Sequence, residues 1–171
     1  MLRLVRVSGQ SMAPTLRPAD LLLTSRGRRG WPGARGWGAR SVRRGDVVVL
    51  RRGGVRMVKR VVALAGDLVE LEAGRLFVGG RSVDWRARVA GAQVQAWRVP
   101  PGHVFVAGDN AAASDDSRVW AEPYVPLPDV DARVLARLPR LRGPRRAHRT
   151  PAPSPRELSP RRAAPAARPA A

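Results

Sequence analysis

Apolar positions in this chain come in short runs, broken every few residues by glycine, proline or charge. Leu4–Val7 and Leu21–Thr24 are brief apolar stretches, the second entered after Pro18-Ala19-Asp20. Asp46–Leu50 follows the turn signal Arg44-Gly45, and Val55–Leu64 is a β-branched run that ends at Gly66-Asp67. Leu68–Leu71 and Arg75–Val78 flank Glu72-Ala73-Gly74, a hairpin signal, and Gly79-Gly80 turns the chain again. His103–Ala107 follows Pro100-Pro101-Gly102, and Val130–Leu138 is a last alternating stretch. Short strands at close spacing with Gly and Pro turns predict a mainly β, antiparallel fold with few helices. Ser11–Leu16 has room for a single helical turn.

Composition narrows the chemistry. The 171 residues suit one domain plus a tail, and 44% apolar with 26% charged residues fits a chain that folds. With no cysteine there is no disulfide framework, Cys nucleophile or thiolate metal site. His103 and His148 are too few and too far apart for a His-rich metal site. No metal or other cofactor is expected. No window approaches about 18 consecutive apolar residues, and no signal-peptide pattern opens the chain. Neither a transmembrane helix nor a signal peptide is therefore expected here.

Charge is unevenly placed. The formal net charge is +19, of which residues 140–171 carry +8 and residues 26–44 carry +7, leaving +4 for the rest. The segment 140–171 is rich in Arg, Pro and Ala without an apolar period, and reads as a disordered tail. The Gly/Trp/Arg segment 26–44 reads as a basic mobile surface loop. Both would attract a polyanion, whether nucleic acid or anionic lipid headgroups. A solvated loop and tail written by an arginine-favouring coding bias is the plainer account. Of the 32 basic residues, 31 are Arg and one is Lys59. A lone lysine against that background suggests a task arginine cannot perform, namely losing its proton near neutrality.

Three segments carry candidate chemistry. In Ser8-Gly9-Gln10-Ser11-Met12-Ala13-Pro14, a serine beyond a glycine-bearing turn can expose its hydroxyl at a strand end. By itself this is a common turn role for serine. In Met57-Val58-Lys59-Arg60-Val61-Val62, alternation puts Met57, Lys59 and Val61 on one face and Val58, Arg60 and Val62 on the other. An amine among those apolar neighbours loses solvation in its charged form. Working near pH 8 would ask about 3 kcal/mol of the site. The result is a general base fit to activate a serine hydroxyl, unless the ammonium snorkels to water. In Gly108–Arg118, a polar loop leaves the His103–Ala107 strand. Its oxygens are not spaced for calcium, whereas Asp116 and Arg118 can pair and Ser114 can hydrogen-bond an amine.

Taken in order, Ser-Gly-Gln-Ser-Met-Ala-Pro-Thr-Leu, Lys-Arg-Val-Val-Ala-Leu-Ala-Gly-Asp and Gly-Asp-Asn-(Ala)3-Ser-Asp-Asp-Ser-Arg resemble the boxes of type I signal peptidases. The stretch they span covers about residues 4–138. The resemblance implies a catalytic domain over 1–139 with a signal-peptidase-like antiparallel β fold and a short accessory insertion over 79–99. It implies a Ser–Lys dyad endopeptidase, with Ser11 as nucleophile and Lys59 as general base. Ser114 would position the Lys amine, and Asp116 with Arg118 would stiffen the catalytic loop. Met12, Leu16, Met57 and Val58 would wall shallow pockets for small side chains, as in Ala-x-Ala sites. Substrates would be proteins bearing signal or leader peptides, met at the outer face of the bacterial cytoplasmic membrane. Segments 26–44 and 140–171 could touch its anionic surface, and nucleic acid is not an expected partner. Some members supply a second oxyanion donor from a serine two residues before the nucleophile; here Gly9 stands there.

Typical members of that family carry an N-terminal transmembrane anchor, whereas this chain begins ten residues before Ser11. A soluble or peripheral enzyme is expected, or a start further upstream. Two other readings stay open: a maturation protease dedicated to one partner, of the nickel superoxide dismutase type, and a non-catalytic Arg-rich nucleic-acid-binding β domain.

Overall fold

The computed structural model describes residues 1–26, 42–83 and 94–139. The expected basic loop over 26–44 and insertion over 79–99 thus fall partly outside the described residues, and the tail over 140–171 wholly so. Eleven strands form among the described residues: β1 (Leu2–Arg6), β2 (Leu21–Ser25), β3 (Val47–Arg52), β4 (Val55–Leu64), β5 (Leu68–Glu72), β6 (Arg75–Val78), β7 (Arg81–Ser82), β8 (Gln95–Arg98), β9 (His103–Ala107), β10 (Tyr124–Pro126) and β11 (Val130–Leu138). Among the described residues the helical content is two three-residue 3-10 turns, Ala111–Ala113 and Leu127–Asp129. The mainly β expectation holds. Eight strands sit where the apolar runs put them, while β7, β8 and β10 were not anticipated. Each of these three is short and lies at a sheet edge, where little apolar surface needs covering. β10 even ends on Pro126, a residue an edge strand tolerates.

Every strand ladder among the described residues is antiparallel. A seven-stranded sheet runs β1-β2-β11-β3-β4-β9-β10, and a four-stranded sheet runs β7-β6-β5-β8. Residues 79–99 therefore add β7 and β8 to a sheet whose central strands begin already at Leu68. Three apolar clusters fill the spaces. Val48, Leu50, Val61, Val104, Val106 and Val125 cover one face of the large sheet. Val62, Ala63 and Phe105 meet Val69, Leu76 and Val78 of the small one. Val7, Met12, Leu16 and Leu22 close the β1–β2 end.

Two features of this topology shape the site. The β3–β4 hairpin turns through Gly53 and Gly54, both at positive φ (53° and 78°), the conformation a two-residue hairpin loop needs. That register aligns Val48 with Lys59 and Val49 with Val58. On its other side β4 meets β9 only from Arg60 onward, so among the described residues Val55–Lys59 keep one unpaired edge. β1 likewise pairs with β2 and stands at the margin of the sheet. Two open strand edges border one cleft.

Candidate active site

The nucleophile candidate sits just beyond β1. Val7 donates its N–H to Asp20 O at 2.9 Å, and Ala19 returns one to Val7 O at 2.8 Å. This clasp holds the start of the Ser8–Ser11 turn. Beyond it Leu16 N–H reaches Met12 O at 2.8 Å, a single helical-type turn after which the chain turns toward β2. Ser11 is half-buried, and its Oγ has no hydrogen-bond partner among the described residues. Its backbone is tied down instead: Asn110 N–H donates to Ser11 O at 2.9 Å, and Asn110 Nδ2 to Gln10 O at 3.3 Å.

Lys59 comes from the buried middle of β4 and is 3% exposed. Its Nζ donates to Ser114 Oγ at 3.0 Å. Ser114 in turn donates to Asp116, a short contact within the buried loop. Asp116 is gripped by Arg118 through Nε at 2.9 Å and Nη2 at 2.7 Å, and by the Gly108 N–H at 2.9 Å. Arg118 also donates to Gly108 O at 3.0 Å. Because the Ser114 proton is committed to the Asp116 carboxylate, its oxygen must accept from Lys59. The amine, once neutral, keeps its lone pair free for another hydroxyl.

Electrostatics favour that neutral form. Burial pulls the Lys59 amine below its ordinary value; the charges of Asp116 and Asp115 pull it back up, and that of Arg118 lowers it further. For Asp116, burial pushes the carboxyl up, but Arg118, the Gly108 N–H and Ser114 together hold it below its usual range. Asp116 therefore contributes stability that is present above its unfolded value near 3.8 and lost as pH falls through its lower folded value. Replacing it with Asn removes the carboxylate that the buried Arg118 guanidinium grips at 2.9 and 2.7 Å. Asp116→Asn is expected to destabilise the fold by about 3 kcal/mol, read by urea denaturation; an unchanged midpoint would refute the role assigned to this pair.

Ser11 and Lys59 line one cleft of about 460 Å³, together with Met12, Met57 and Val58. Leu16 is the exception among the expected wall residues. It is 5% exposed, packs in the cluster with Val7 and Leu22, and does not line the cleft. Its side chain is drawn inward by the turn it closes, which the spacing of the motif alone does not reveal.

Several residues of the site were not singled out from the sequence. Gly108 has no room for a side chain: a Cβ there would lie 2.2 Å from Ser114 Oγ and 2.5 Å from Ser11 O. Arg60, on the face of β4 opposite Lys59, forks onto Asp109 at 2.8 and 2.7 Å and so pins the loop to the strand. The available signal was the Gly108–Arg118 box itself, taken as a whole.

The family model described as signal peptidase, peptidase S26, matches residues 1–138. The chain belongs to that family. A signal peptidase I from Pseudomonas fluorescens is 33% identical over 48% of this chain and 41% of its own length. Signal peptidase I U of Bacillus subtilis is 30% identical over 66% of this chain and 63% of its own. A signal peptidase I from Bacillus caldolyticus is 30% identical over 66% of each. The chain thus spans between 41% and 66% of the length of these relatives. A crystal structure of a signal peptidase I from Enterococcus faecalis aligns with TM-score 0.45 and 28% identity, covering 56% of this chain and 97% of that one. Within the stretch the family model matches, Lys59, Ser114, Asp116 and Arg118 are joined by hydrogen bonds, and Ser11 lines the same cleft as Lys59. Among the described residues no helix is long and apolar enough to cross a membrane, and no group of acidic or histidine side chains could hold a metal ion.

Proposed function

We propose that this chain is a serine endopeptidase that removes signal or leader peptides from exported proteins, cutting after small residues through a Ser–Lys dyad. The observation that carries this reading is the burial of the sole lysine, hydrogen-bonded to Ser114, in the cleft that also exposes Ser11. Substrate in extended form would pair with the open edges of β1 and β4 that border the cleft, contributing a strand to the sheet. Met12, Met57 and Val58 line that cleft, and we assign to them the pockets for alanine-sized side chains.

In the reaction, neutral Lys59 takes the Ser11 proton as Oγ attacks the scissile carbonyl. The Ser11 backbone N–H is the donor we assign to the oxyanion. The protonated amine then gives its proton to the leaving nitrogen, and the acyl-enzyme remains on Ser11. Water, deprotonated by the regenerated Lys59, attacks the ester, and Lys59 returns that proton to the departing Ser11 Oγ, freeing the enzyme. Ser114 keeps the amine aimed throughout, and the Asp116–Arg118 pair keeps Ser114 in place. The setting we assign is the outer face of the cytoplasmic membrane.

An internally quenched peptide with an Ala-x-Ala site tests the reading. Wild type is expected to cut it and Ser11→Ala to fall to the uncatalysed background while remaining folded by circular dichroism. Cleavage by Ser11→Ala at the wild-type rate would refute it.

A further inference from the structure

Three guanidiniums converge on one carboxylate at the side of the large sheet. Asp131, on β11, meets Arg51 Nε at 2.8 Å, Arg26 Nη2 at 3.5 Å and Arg56 Nε at 3.8 Å. One negative charge thus faces three positive ones. Arg51 and Arg56 are moreover direct partners across the β3–β4 ladder, a placement in which like charges oppose pairing. An arginine-favouring composition explains why these cations are Arg. It does not explain why three of them crowd a single acid. Such a cluster is relieved when a further anion arrives.

The position of Arg56 indicates where that anion would come from. Its side chain is 52% exposed and lines the same cleft as Lys59 and Ser11. It lies three residues before Lys59 on β4, about 10 Å along the strand. Beside Lys59 the sign of the cleft reverses. Asp115 lines it there, held by the Trp120 Nε1–H at 2.9 Å, and Trp120 lies under the Arg52 guanidinium at 4.2 Å. An extended peptide in the cleft would pass a braced negative charge near the reacting bond and a positive cluster farther along.

We propose that Arg56, with Arg51 and Arg26 behind it, is a specificity-determining residue that selects substrates carrying an acidic side chain about three residues from the scissile bond. The proposal rests on the endopeptidase reading above. A carboxylate at that distance meets a half-exposed guanidinium that Asp131 holds only at 3.8 Å. The same carboxylate next to the scissile bond meets Asp115 instead. The preference is therefore one of position and not of net peptide charge.

The test is a set of quenched Ala-x-Ala peptides in which Glu or Gln is placed in turn at each position from about five residues before to about five after the cut. At one position, about three residues away, the Glu peptide is expected to exceed its Gln counterpart in kcat/KM by about fivefold, the upper range for an exposed ion pair. That ratio should approach one in Arg56→Gln, and should shrink for wild type in about 0.5 M salt. Cleavage with equal Glu and Gln rates at every position, or a preference that survives in Arg56→Gln, overturns the proposal and leaves the endopeptidase reading intact. So does a loss of binding to phosphatidylglycerol vesicles in Arg56→Gln with the Glu/Gln ratio unchanged, which would assign the cluster to a membrane surface. If wild type cuts none of the peptides, the endopeptidase reading falls and the proposal with it.

Discussion

Lys59→Arg is expected to lower kcat/KM on an Ala-x-Ala peptide by about 10³-fold, the usual scale for losing a general base. Arginine preserves the positive charge and most of the length, but it does not deprotonate in a protein. The variant thus separates base function from simple charge. Activity of the wild type should rise with pH on its acid side, with a midpoint below the ordinary lysine value of 10.5, because burial depresses the folded value. Stability should follow a related course. Between the depressed folded value and 10.5 the unfolded chain binds the extra proton, so stability gains as pH rises through that window. Lys59→Met removes this dependence and is expected to be at least as stable as wild type at neutral pH. Full activity in Lys59→Arg would end the dyad assignment.

Gly108→Ala should be nearly as damaging, although it adds a single methyl group. The new Cβ would overlap Ser114 Oγ and the Ser11 carbonyl, at 2.2 and 2.5 Å. Of the two, Ser114 Oγ anchors the Lys59 amine, and the Ser11 carbonyl is fixed by Asn110. Neither can yield without moving a reacting group. Displacement of this order costs about 10² in rate, with about 1–3 kcal/mol of stability lost to overpacking. The measurement is kcat on the quenched peptide beside a thermal melt. A variant with normal kcat would show that the loop and the Ser11 turn separate freely, against the stitched geometry described here.

The strands that were legible in the sequence are those with apolar sides to bury. Val55–Leu64, Arg75–Val78, His103–Ala107 and Val130–Leu138 have the bounds their apolar patterns suggested. The short edge strands were not legible, because Arg81–Ser82 and Gln95–Arg98 gain their ladder from a neighbour and little from their own exposed side chains. Among site residues the polar ones stood out by type: one lysine among arginines, serines beside glycine, an acid two residues before an arginine. Leu16 did not, since a leucine beside a turn reads equally well as a pocket wall or as core.

What the sequence by itself determined is the set of groups available: a serine beyond a glycine-bearing turn, one lysine among arginines, an acid two residues before an arginine, and no thiol. Residue type alone sets these properties. Only the tertiary structure decided which groups share a site, since Lys59 and Ser114 stand 55 residues apart and meet because β9 pairs with β4 from Arg60 onward. It also decided the close packing of Ser114 and Ser11 against Gly108 and the crowding of Arg26, Arg51 and Arg56 on Asp131. Both depend on distances between strands remote in sequence, which no local pattern encodes.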